Sequence, residues 1–180
     1  MAVLDVLRTE TRRPRIVREC RHAGRLAVGA VCLGTVIGQA DAGMVAFCLP
    51  ALQRHFSAPL AAVEWVALGY LLVMTAWAGV LGRLGDVAGH KLTFLYGLVI
   101  LTVASVIGGL APTLSVLIAS RALQAVGAAM VQAAGTALIV TGVSSERRRA
   151  ALGVLGGVHA LGLAIGPAAG ALLVEAAGWR

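Results

Sequence analysis

The chain has 180 residues, 59% of them hydrophobic and only 13% charged, against roughly 25% charged in an ordinary soluble domain. Ten of its charged groups precede Leu26, and the thirteen that remain are too few to clothe the other residues in polar surface. That excludes a water-soluble globular domain and a disordered chain, and it defines an all-α membrane protein. Three cysteines, Cys20, Cys32 and Cys48, without CxxC or Cys/His spacing, exclude a disulfide scaffold and a metal centre. The net charge of +7 does not indicate nucleic acid, because the basic residues flank apolar runs and only 4% of the chain is aromatic.

A helix needs about 20 apolar residues to cross the hydrocarbon core. Behind an Arg-rich tail, residues 1–25, the region 26–180 contains about five such runs: 26–49, closed by Pro50, then 61–81, 92–111, 114–140 and 150–177. Pro59, Pro112 and the Ser144-Ser145 pair mark the breaks. With the tail in the cytoplasm, its seven Arg join Arg83, Lys91 and Arg147 to Arg149 on one side, while Arg54 and Arg180 fall on the other. This positive-inside bias predicts a cytoplasmic N-terminus and an outer C-terminus. The first run is too long for the apolar core of a cleaved leader, despite an Ala40-Asp41-Ala42 segment. The tail is expected to lie along anionic headgroups or to stay mobile.

An ionisable group at membrane depth costs several kcal/mol and is a functional candidate by default, here with no catalytic or cofactor chemistry attached. Asp41 shares a helical face with Gly34, Gly38 and Val45, lean enough to line a cavity. Desolvation there favours a carboxyl that takes up and releases a proton; a structural hydrogen bond to a neighbouring helix is the alternative. Arg121 heads a stripe with Gln124, Ala128, Gln132 and Gly135, all within about 60° on a helical wheel. Lipid cannot solvate that stripe, so it faces other helices or water. Arg121 is a fixed positive charge for an acid or anionic group, or an interhelical ion-pair anchor. His159 is either a packed residue or a proton shuttle. Glu64, Trp65 and Tyr70 begin the second span, and Trp179 ends the fifth, where aromatic belts form. In the fifth run, Gly153, Gly157, Ala160 and Ala164 form one small-residue face and Gly162, Gly166 and Gly170 another, which predicts two close neighbours and a central helix.

Between the second and third spans stands Gly82-Arg83-Leu84-Gly85-Asp86-Val87-Ala88-Gly89-His90-Lys91. Its glycines suit a tight turn, and Asp86 is placed to cap the next helix or accept from basic groups. The segment resembles the cytoplasmic loop signature of the major facilitator superfamily, with Val87 in place of the usual Arg and His90 where a basic residue is normal. Asp41 to Pro50 is similar to the first-helix segment of that family's fourteen-helix drug:proton antiporter branch, with Gly43 and Ala46 in place of Thr and Asn. Trp65-Val66 with Tyr70, Leu117 to Gly127, and Gly162 to Gly170 resemble its second-, fourth- and fifth-helix signatures, the fourth with Ala125 for the first Gly. The order, one motif per span, makes the resemblance specific, and it covers almost everything after the tail.

The resemblance implies five helices belonging to the N-terminal bundle of a proton-coupled multidrug or small-solute efflux antiporter in the plasma membrane. It implies proton coupling or substrate recognition at Asp41 and Arg121, with Gln124 and Gln132 beside them. Gating falls to Gly82, Arg83, Asp86, Gly89 and Lys91, and a bend in the fifth helix to the motif of Gly162, Gly166, Pro167 and Gly170. The expected partners are protons, a small hydrophobic or cationic solute, the bilayer, and a C-terminal half that alternating access requires. Without that half, the expected alternative is a membrane fragment that transports nothing. An enzyme is not expected: an intramembrane protease would need a Gly-x-Ser-Gly segment or two embedded aspartates, and the spans hold only Asp41.

Overall fold

In the computed structural model, which describes residues 23–143 and 145–177, the chain is a bundle of helices with no strand among the described residues. They are α1 (Ala23–Phe56), a single turn α2 (Leu60–Val63), α3 (Trp65–Ala88), α4 (His90–Gly109), α5 (Leu114–Gly142) and α6 (Ser145–Ala177). With α2 and α3 counted as one span, five stretches among the described residues are long and apolar enough to cross a membrane. Leu33, Leu72, Val99, Leu161 and Leu172 are exposed on the outside of the bundle. A soluble protein could not carry so much apolar surface, whereas lipid solvates it.

Pro50 does not close the first helix. α1 runs through it for nearly two turns and stops at Ser57, whose φ of 48° is left-handed, with Ala58 N–H donating back to Gln53 O at 3.3 Å. That is a Schellman-type stop, with Pro59 just beyond it to prevent continuation. An interior proline costs about 3 kcal/mol. Burial of Leu52 beyond it, packed with Val63, Val66 and Leu117, returns about 1.5–3 kcal/mol and keeps those turns helical.

The connection from Gly82 to Lys91 is not an open loop either. Gly82, Arg83 and Asp86 lie on the last turns of α3, Lys91 lies on the first turn of α4, and Gly89 alone breaks the helix. Its φ of 97° and ψ of 130° suit only a residue without Cβ. Asp86 does not cap α4, which has no side-chain cap; its Oδ1 lies 3.7 Å from His90 Nε2 instead. The imidazole of His90 covers Gly85, so that a Cβ there would come within 2.9 Å of Nδ1.

α5 is the centre of the bundle. Half of its span is buried, against 17% for that of α6, and it touches α1, α3, α4 and α6. Its crossing with α4 brings backbones together: a Cβ on Gly127 would lie 2.8 Å from Gly97 O and Leu101 N. α6 rests chiefly on α1. There a Cβ on Gly166 would meet Ala40 O at 2.6 Å, and one on Gly43 would meet Pro167 Cδ at 3.0 Å. Pro167 leaves Leu163 O without its helical donor, and that carbonyl sits against Gly43. The expected central position of α6 is therefore corrected: Gly162, Gly166 and Gly170 meet a neighbour, while Gly153, Gly157, Ala160 and Ala164 are exposed. Small residues permit close approach but do not supply the neighbour.

Candidate functional site

The helix ends set the depth of the polar groups. Thr113, after Pro112, caps α5 by accepting from Val116 N–H at 3.4 Å, which starts α5 beside the C-terminal part of α1 and puts Arg121 two turns in. Arg121 Nη1 donates to Asp41 Oδ2 at 2.7 Å and to Gln124 Oε1 at 3.0 Å. Gln124 Nε2 donates to Ser105 Oγ at 2.6 Å, and Ser105 Oγ donates to Leu101 O at 2.8 Å. One chain of hydrogen bonds thus joins α1, α5 and α4, with both ends of the Gln124 amide fixed by it. Gln124 is only 4% exposed. The pair is less enclosed: the side chains of Arg121 and Asp41 are 16% and 29% exposed.

That partial exposure opens onto a cavity of about 190 Å³, lined by Asp41, Arg121, Gln124, Ser105, Met44 and Cys48 among others. A carboxylate held by a guanidinium at the wall of a cavity can exchange its partner, because a proton or another cation competes for the same oxygens. No group of His, Cys, Asp or Glu among the described residues has the arrangement of a metal site.

Of the residues singled out from the sequence, Asp41, Arg121 and Gln124 come together, and Gln132 does not join them. Gln132 is exposed and lines a second cavity with Thr35, Gln39, Tyr70 and His159. Two turns separate it from Gln124, so a stripe continuous on a helical wheel is divided along the helix axis. Tyr70, expected in an interfacial belt, is instead buried against Leu101, Ala125 and Ala128. Trp65 is exposed as expected of a belt residue, whereas Trp179, Cys20 and the tail before Ala23 lie outside the described residues. Sequence reasoning passed over Ser105 and Gln39. Each is a small polar signal in an apolar run, and Gln39 lies about 200° around the helix from Asp41, toward α6.

The sequence profile of the Major Facilitator Superfamily matches residues 31–180, and the chain belongs to that family. It is a multi-pass membrane protein whose relatives are transporters. The riboflavin transporter RibZ of Clostridioides difficile is 30% identical over 83% of this chain and 33% of its own length. The tetracenomycin C resistance and export protein of Streptomyces glaucescens is 34% identical over 84% of this chain and 28% of its own. The multidrug resistance protein Stp of Mycobacterium tuberculosis is 33% identical over 86% and 29%. The chain thus spans a third or less of the length of these curated relatives.

Proposed function

We propose that the chain is the N-terminal portion of a proton-coupled efflux antiporter for small hydrophobic or cationic solutes, set in the plasma membrane with residues 1–25 in the cytoplasm. The observation that carries this is the Asp41–Arg121 pair at the wall of the larger cavity. With Asp41 ionised, Arg121 and an incoming cation compete for one carboxylate. A proton on Asp41 removes that attraction, frees Arg121 to rest on Gln124, and releases the cation. Solute and proton then exclude one another at a single group, which is the requirement for exchange in opposite directions. The names of the relatives, two of them resistance or export proteins, agree with outward movement of a small solute. Arg83, Asp86 and Lys91, clustered around the Gly89 turn, suit a hinge between helices that rock.

The test is efflux of a cationic dye from cells expressing the reading frame that contains this chain. Efflux is expected to collapse with a protonophore and to be abolished by Asp41→Asn. Normal efflux in Asp41→Asn removes its role. A second reading, in which the 180-residue chain alone transports nothing, is favoured by the exposed small-residue face of α6 and by the share of each relative that is covered. Expression of residues 1–180 alone, without dye efflux, supports it.

A further inference from the structure

The second cavity shares no lining residue with the first and has a chemistry of its own. Its volume is about 20 Å³, and a site of roughly 10–15 Å³ suffices for one water, provided that polar partners line it. They do: Thr35 and Gln39 from α1, Tyr70 from α3, Gln132 from α5 and His159 from α6. Thr35 Oγ1 donates to Val31 O at 2.8 Å and so can only accept from a water, beside the two amides, the phenol and the imidazole.

The imidazole is held in one sense. His159 Nδ1 lies 3.1 Å from Leu155 O, and a carbonyl only accepts, so Nδ1 carries the hydrogen. In the neutral ring Nε2 is then a bare acceptor. It is fully buried and has no hydrogen-bond partner among the described residues. A buried acceptor left without a donor costs about 1–3 kcal/mol, which a water in this pocket removes. Gln39 lines the same cavity, and its Cβ is pressed against α6, since a Cβ on Gly162, one turn after His159, would come within 2.6 Å of it.

We propose that His159 Nε2, Gln39 and Gln132 form a one-water site, and that His159 is a proton acceptor separate from the Asp41–Arg121 pair. A hydronium reaching the pocket transfers its proton to Nε2. The products are an imidazolium, still donating from Nδ1 to Leu155 O, and a neutral water held by the amide oxygens. Among the described residues no acid, Lys or Arg lines the pocket; Tyr70 is the other titratable group, and Asp41 and Arg121 face the first cavity. Gln39 and Gln132 can turn an oxygen or an NH2 toward the water, so they serve the neutral and the charged ring alike. The site requires nothing of what the chain carries.

The experiment is nitrogen-15 NMR of the whole chain, labelled at histidine, in lipid nanodiscs, with His159 assigned by its loss in His159→Phe. The neutral ring is expected as the Nδ1–H tautomer. On acidification the second proton should appear at Nε2, with a cross-peak to a long-lived bound water. Gln39→Leu and Gln132→Leu should each lose that cross-peak while keeping Nδ1 protonated. Gln132 is exposed, so its variant carries the test even where Gln39→Leu, pressed against α6, does not fold. An Nε2–H tautomer, a ring whose second proton does not appear at Nε2 on acidification, or a cross-peak that survives in Gln132→Leu overturns the proposal.

Discussion

α5 and α6 are built from the same materials and end up in different situations. Both are long, rich in Gly and Ala, and carry polar residues at membrane depth. α5 is enclosed by its neighbours, and its small residues bring other helices close enough to satisfy Arg121 and Gln124. α6 uses one glycine seam, leaves the opposite face bare, and keeps an imidazole nitrogen without a partner. Packing against four neighbours therefore gives Arg121 and Gln124 of α5 protein partners, while packing chiefly on one side leaves the α6 imidazole nitrogen without one.

The largest effect expected from breaking this contrast is at the α4–α5 crossing. The Cβ of Gly127→Val would collide with backbone atoms of Gly97 and Leu101, which cannot swing away as a side chain does. We expect a loss of more than about 3 kcal/mol, beyond ordinary overpacking, and collapse of the bundle, read as lost thermal unfolding cooperativity in detergent. Gly166→Val makes an equally close contact with Ala40 O, yet only the α1–α6 seam depends on it. Its unfolding transition should be retained at lower temperature, with α6 alone becoming open to protease. If the two variants behave alike, α5 has no special place.

The ion pair comes next. Arg121→Leu leaves Asp41 beside an apolar wall, and Asp41→Leu leaves Arg121 with Gln124 alone. Each should cost about 2 kcal/mol, between the values for surface and fully buried pairs, because both side chains keep some exposure. The double variant should cost less than the sum of the two singles. Strict additivity in a double-mutant cycle, measured by denaturant unfolding, would show that the 2.7 Å contact contributes nothing.

Much of this contrast was legible in the residues. An acid and an arginine in apolar runs have few places to go, and Asp41 and Arg121 met. Gly162, Gly166 and Gly170 signalled a close crossing, which α1 supplies. What periodicity conceals is position along the helix and the identity of the neighbour. The stripe from Arg121 to Gln132 was continuous in angle but is divided between two cavities by depth. The bare face of α6 had the same spacing as its buried one, because spacing describes what a surface permits and not what is near it. Pro50 and the Gly82–Lys91 segment read as breaks from local preference alone. Burial of Leu52 outweighed the first, and a single glycine was enough to make the turn in the second.

The smallest effect is the most direct check on that bare face. A Cβ at Gly157 would meet nothing within 4 Å, so Gly157→Leu adds an apolar side chain to a surface already in lipid. Removing a helical glycine gains up to about 1 kcal/mol from propensity, and no contact is lost to set against it. Unfolding of the 180-residue chain should be unchanged or slightly strengthened. A destabilisation comparable to that of Gly166→Val would mean that this face is covered, by a second copy of the chain or by α6 taking a different position. The same substitution in a longer protein, where further helices close on α6, should be costly, and the difference between the two measurements reads out whether this face meets a partner.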